Sequence, residues 1–205
     1  TPCTGPADIV FVIDGSESIS SDNFNTTLEF VIRNLDKLTI SQTGVRVAAL
    51  VFSDKVYDNF TFTPYRNKLE LSMVIRSMKQ PKQGTDTEKG LAKMMDIFNA
   101  TRPPERENIP QVGVVITDGE SRNPIATVTE AVKIRSNGIS LIAVGVAVQN
   151  GSSADRELQG ITGAKENVLL LNGYDDLQTL TSISLLSKIL CQVNNISRLF
   201  LQPIC

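Results

Sequence analysis

Ile9-Val10-Phe11-Val12-Ile13 is a short, mostly β-branched apolar run that stops abruptly at Asp14-Gly15-Ser16-Glu17-Ser18. It is too short for a buried helix, and it lacks the alternation of a half-exposed strand. It therefore reads as a strand covered on both faces, as in a parallel sheet sandwiched between helices. Residues 45–52, 112–116, 139–146 and 168–171 have the same character.

Helical periodicity fills the intervals. Phe24, Leu28, Val31, Ile32, Leu35 and Leu38 fall on one stripe, with Asn25, Glu29, Arg33 and Asp36 opposite. Ser21 and Asp22 offer capping oxygens at the start of this helix. Further helices are expected over 69–78, 90–98, 125–134, 154–158 and 177–190. Residues 55–62 depart from the pattern. They form a short polar-flanked strand after a two-residue turn at Ser53-Asp54, expected as an antiparallel partner at the sheet edge. The alternation predicts an α/β fold: a doubly wound, mostly parallel six-stranded sheet with one antiparallel edge strand and helices on both faces. One domain is expected over 1–191. Residues 192–205 show no clear period and read as a C-terminal tail on the surface.

Composition removes several function classes. Twenty basic residues against 22 acidic ones give a net charge of −2, which argues against nucleic acid and anionic membranes as partners. No apolar run approaches the roughly 20 residues needed to cross a bilayer, and no signal-like segment opens the chain, so no membrane insertion is expected. Histidine is absent, which excludes Ser-His-Asp and Cys-His catalysis and every histidine-containing zinc site. The three cysteines, Cys3, Cys191 and Cys205, lie near the chain ends rather than in a CxxC pair. Sequons occur at Asn25, Asn59, Asn99, Asn150 and Asn195. Together with terminal cysteines they favour a secreted glycoprotein; an intracellular domain with free thiols is the alternative.

In a doubly wound sheet, ligands bind at the carboxyl ends of the strands near the switch point. Three segments expected there are rich in oxygen: Asp14-Gly15-Ser16-Glu17-Ser18, Gln83-Gly84-Thr85-Asp86-Thr87 and Thr117-Asp118-Gly119-Glu120-Ser121. Taken singly, Asp14 and Asp118-Gly119 are ordinary turn residues, Ser16 and Ser18 solvated hydroxyls, and Thr85 a helix cap. Taken together they form a hard-oxygen set that suits Mg2+, Mn2+ or Ca2+ and does not suit zinc or copper. Gly15, Gly84 and Gly119 would let the backbone turn tightly enough for the side chains to converge. Hydrolysis would need a general base. Glu17, Asp86 and Glu120 are candidates by proximity alone, and each reads better as a solvated loop carboxylate, so no enzyme is expected.

Asp14-x-Ser16-x-Ser18, Thr85 and Asp118 of Ile-Thr-Asp-Gly resemble the metal-ion-dependent adhesion site of von Willebrand factor type A domains. The resemblance covers residues 7–191. It implies that Asp14, Ser16, Ser18, Thr85 and Asp118 surround a divalent cation, with Glu120 behind them. The cation would coordinate an Asp or Glu side chain of a partner protein. The interval between 146 and 154 has no room for the extra helix of collagen-binding integrin A domains. Residues 177–205 contain no acid to serve as an internal ligand. The chain is more similar to the A domains of matrilins and matrix collagens, whose flanking cysteines close the domain. That implies a Cys3–Cys191 disulfide, with Cys3–Cys205 as the alternative pairing, and an adhesion or matrix-assembly module that binds collagen or another matrix protein. A metal-independent binder with a vestigial site and a regulatory A domain of a larger protease remain open.

Overall fold

The computed structural model describes residues 5–62, 67–100 and 102–200, of which 191–200 are described as helical backbone only. In chain order the elements are β1 (Ala7–Asp14), α1 (Ser21–Leu35), β2 (Val45–Phe52), β3 (Val56–Phe60), α2 (Lys68–Ser77) and α3 (Thr87–Ala100). There follow β4 (Gln111–Thr117), α4 (Pro124–Ser136), β5 (Ser140–Val146), α5 (Ser153–Thr162), β6 (Val168–Leu171) and α6 (Leu180–Phe200). The strands form one sheet in the order β3-β2-β1-β4-β5-β6. Every pairing is parallel except β2 with β3, which is antiparallel and irregular between Val51 and Phe52.

The continuous apolar run of β1 has a direct explanation. Ile9, Phe11 and Ile13 join the core cluster that includes Leu28 of α1, Leu71 of α2 and Leu186 of α6. Val10 and Val12 join the opposite cluster, with Leu91 of α3, Ala131 of α4 and Leu158 of α5. Successive side chains point to opposite faces, and each face is roofed by helices, so neither set can be polar.

The chain winds from β1 toward β2 and β3 in its first part and from β4 toward β5 and β6 in its second. The switch in direction falls between β1 and β4, and the crevice it opens lies at their carboxyl ends. At the opposite end, Asp8 is buried beneath two arginines. Arg46 donates to both of its carboxylate oxygens (2.8 and 2.6 Å), and Arg106 donates to Oδ1 from Nε and Nη2 (3.0 and 2.8 Å).

Three local expectations are corrected. Ser20, not Ser21 or Asp22, caps α1: its backbone is extended, so its side-chain oxygen can accept from Asn23 N. The β2–β3 turn spans residues 53–55, closed by Ser53 N donating to Lys55 O (2.9 Å), rather than Ser53-Asp54 alone. Helical backbone continues through 192–200, the first part of the stretch expected to be an aperiodic tail. Val193, Ile196 and Phe200 do fall at helical spacing in the sequence. Cys3 and Cys205 lie outside the described residues, as does the side chain of Cys191, so the expected pairing falls there too.

Candidate metal centre

Asp14 is the last residue of β1 and is buried, with 1% of its surface exposed. Its Oδ1 accepts from Ser16 N (2.8 Å) and its Oδ2 from Thr117 Oγ1 at the end of β4 (2.7 Å). The strand ends on either side of the switch point are therefore joined through this carboxylate. Ser16 Oγ, also buried, lies 3.1 Å from Ser18 Oγ, which donates to Asp118 Oδ1 (3.0 Å). The result is a chain of oxygens running from a buried floor at Asp14 and Ser16 to an exposed rim at Ser18.

The loop leading into α3 is pinned to both of these segments. Lys82 N donates to Gly15 O and Glu17 N to Gln83 O (both 2.9 Å), which fixes it to the β1 loop. Arg122 N donates to Thr85 O (2.8 Å), which fixes it to the β4 loop. Ser53, fully buried at the end of β2, organises it from below: its Oγ donates to Gly84 O (2.6 Å) and accepts from Gln83 N (3.0 Å). Thr85 thus enters the site through its backbone, with its side chain half-buried.

Electrostatics follow from burial. Removal from water pushes the Asp14 carboxyl up to about 6, against the hydrogen bonds from Thr117 and Ser16 that favour its charged form. Burial also raises Asp118, opposed by hydrogen bonds from Ser18 and from the Tyr174 hydroxyl. Tyr174 in turn is raised by burial and by the charges of Asp118 and Asp14. A buried carboxylate at Asp14 and a half-buried one at Asp118, with neutral hydroxyls between them, are a costly arrangement that a dication would relieve. The donor chemistry also fits one: Ser16 Oγ, Ser18 Oγ and Asp118 Oδ1, successively 3.1 and 3.0 Å apart, are hard oxygens gathered by hydrogen bonds. Among the described residues no cluster of three or more His, Cys, Asp or Glu forms, so the donor set is the mixed acid–hydroxyl one.

Of the residues expected at the site, Ser16, Ser18 and Asp118 are joined by side-chain hydrogen bonds, Asp14 accepts from the Ser16 backbone, and Thr85 is tied in by its carbonyl. Glu120 is exposed and turns toward α5, accepting from Ser153 Oγ (2.6 Å). Asp86 is buried and committed to Lys89 (2.6 Å) and Arg122 (3.6 Å) rather than solvated. None of Gly15, Gly84 and Gly119 has positive φ, so a left-handed turn is not what calls for glycine there. Gly15 is needed for close approach, because a Cβ there would sit 2.6 Å from Pro81 Cδ and 2.8 Å from Val51 Cγ1. At Gly84 it would overlap the Arg122 guanidinium, and at Gly119 it would meet open space. Thr117, Ser53 and Tyr174 were not expected as site residues. Thr117 carries a sequence signal in the Ile-Thr-Asp-Gly motif, whereas Ser53 and Tyr174 are brought in only by the tertiary fold.

The model of the von Willebrand factor type A domain family matches residues 8–183. Mouse Matrilin-2 is 34% identical over 187 residues, which covers 89% of this chain and 19% of the relative. Human Matrilin-4 is 31% identical, covering 85% and 28% respectively. The mouse Collagen alpha-4(VI) chain is also 31% identical, covering 85% and 7%. The chain therefore spans only a minor part of these curated relatives. Among solved structures, proximal thread matrix protein 1 from the mussel byssus superposes with a TM-score of 0.78 at 24% identity, covering 93% of this chain and 47% of that one. The TRAP protein of Plasmodium vivax does so with a TM-score of 0.72 at 16% identity, covering 90% and 73%. With the sheet order, the crevice and the oxygen-lined loops in place, the chain belongs to the von Willebrand factor type A domain family.

Proposed function

We propose that this domain binds an extracellular matrix protein, collagen being one candidate, through a divalent cation held by Asp14, Ser16, Ser18, Thr85 and Asp118. The observation that carries this reading is the run of hard oxygens from Asp14 to Asp118 across the β1–β4 crevice, with a buried carboxylate at its floor. The hard-oxygen donors suit Mg2+, Mn2+ or Ca2+. Once bound, the cation would supply an open, electrophilic position for a partner's Asp or Glu. The chain's residues hold and orient it: Thr117 and Ser16 N fix the Asp14 carboxylate, while Ser18 and Tyr174 fix Asp118.

Structures of two proteins of the same fold support a cation here. The mussel matrix protein has been seen with a zinc-occupied MIDAS motif, and the Plasmodium protein is manganese-loaded. Zinc in the former shows that a motif of this kind admits a softer ion than the donor chemistry alone suggests. Of the three candidate bases, Asp86 is held in ion pairs with Lys89 and Arg122, which supports a binding role over catalysis through that residue. A matrix location is supported by the matrilin and collagen VI relatives. Among the described residues no helix is long and apolar enough to cross a membrane. Asn25, Asn59, Asn99 and Asn150 are all exposed, as N-glycosylation would require; the side chain of Asn195 lies outside the described residues. The Cys3–Cys191 disulfide belongs to the same reading.

Calorimetric titration with Mg2+ and Mn2+ tests the cation. One saturable site is expected in the wild type and none in Asp14→Ala; equal binding by the variant would remove Asp14 from the site and sink the assignment.

A further inference from the structure

We propose that Arg122 is a positioning residue that locks the Thr85 loop against the Asp118 loop, and that Gly84 is glycine in order to admit it. The inference rests on the reading of this site as a cation centre. On its β1 side the Thr85 loop is held by two backbone hydrogen bonds and from below by Ser53. Toward Asp118 it is held by Arg122, which engages three consecutive residues. The guanidinium lies over the Gly84 α-carbon, with Nε, Cζ and Nη2 all occupying the space a Cβ would need. Arg122 N donates to Thr85 O (2.8 Å). Nη1 pairs with Asp86 Oδ1 at 3.6 Å.

Arg122 is itself anchored through its neighbour. Ser121 N donates to the buried Glu157 carboxylate of α5 (3.0 Å), and Ser121 Oγ accepts from Thr127 of α4 (2.9 Å). A continuous path therefore runs from Glu157 through Ser121 and Arg122 to Thr85. The backbone part of that path survives in Arg122→Ala, so what the variant removes is the guanidinium that rests on Gly84 and pairs with Asp86. Arginine suits the task because a planar guanidinium can rest against peptide backbone and still present N–H donors to Asp86; the lysine ammonium has no such plane. The Arg122 side chain is 59% exposed, so it can leave its seat without disturbing the core. That separates a loop-positioning role from a role in folding.

The two residues form one device, which makes their coupling measurable. Wild type, Arg122→Ala, Arg122→Lys, Gly84→Ala and the Gly84→Ala/Arg122→Ala double variant are titrated with Mn2+ by calorimetry. In EDTA their thermal unfolding and the amide exchange of residues 83–87 are followed. Arg122→Ala should lower Mn2+ affinity about tenfold, speed exchange at Thr85 and Asp86, and leave the EDTA Tm unchanged. Gly84→Ala should reproduce that loss by evicting the guanidinium, and Arg122→Lys should recover only part of it. The double variant should be no worse than Arg122→Ala alone, because the new methyl then has nothing to displace. Additive losses, or wild-type affinity and exchange in Arg122→Ala, would overturn the proposal. Should the wild type itself take up no Mn2+, the cation reading fails, and the exchange cycle in EDTA still decides whether Arg122 and Gly84 act together.

Discussion

Asp14 and Asp8 are both buried carboxylates in β1, and their surroundings assign them opposite tasks. Asp8 is neutralised by two guanidinium groups and reads as a structural tie at the amino ends of the strands. Asp14 has hydrogen-bond donors and no cationic side chain, and burial pushes its carboxyl up to about 6. A group placed this way for structure would be better as an amide. Asp14→Asn should therefore match or exceed the wild-type Tm in EDTA, since the amide oxygen still accepts a hydrogen bond without a buried charge. Mg2+ at a hundred times its dissociation constant should then stabilise the wild type by about 2.7 kcal/mol and the variant not at all. A variant that is several degrees less stable in EDTA would show that the carboxylate serves the fold. The five proposed ligands were legible because each is a hard-oxygen residue at a strand end or helix entry. Ser53 and Tyr174 were not, because a serine in a turn and a tyrosine after a short strand carry no signal until the fold brings them to the loops.

Strands 45–52 and 168–171 emerged with the boundaries read from the sequence, since in each an apolar stretch, interrupted in β2 by the ion-paired Arg46, ends at polar residues or glycine. The edge strand β3 was readable as well, at 56–60 within the expected 55–62, its alternating exposure reflecting one sheet face more open to solvent than the other. Helix ends were read less well, because capping depends on backbone conformation, as Ser20 shows. Within β4, Gly113 is a packing residue that sequence alone would have marked as a weak point in the strand. A Cβ there would collide with Met94 of α3 and lie 2.8 Å from Leu141 Cδ2 of β5. Gly113→Ala should cost about 1–3 kcal/mol in urea unfolding, with cation affinity preserved; a neutral substitution would mean that α3 packs more loosely on the sheet than described. For α6, a disulfide from Cys191 to Cys3 would close a loop of about 190 residues and stabilise by up to about 5 kcal/mol. Non-reducing peptide mapping should recover a Cys3–Cys191 peptide, and a Cys3–Cys205 peptide would contradict that placement.

The molecule as a whole separates rigidity from recognition. Its sheet, packed on both faces, ends at one side in the buried Asp8–Arg46–Arg106 group and at the other in three loops knitted by backbone and hydroxyl hydrogen bonds. On the proposed function recognition belongs to the second end, where neutral hydroxyls and two carboxylates surround a crevice open to solvent. The most direct test of cation-mediated adhesion is binding of the purified domain to immobilised matrix extract in Mg2+, in EDTA, and after Mg2+ is restored, with Asp14→Ala in parallel. Saturable binding in Mg2+ that disappears in EDTA, returns with the cation and is absent in the variant is the predicted result. Binding that survives EDTA and is unchanged in Asp14→Ala would contradict the account and mark this surface as a metal-independent binder.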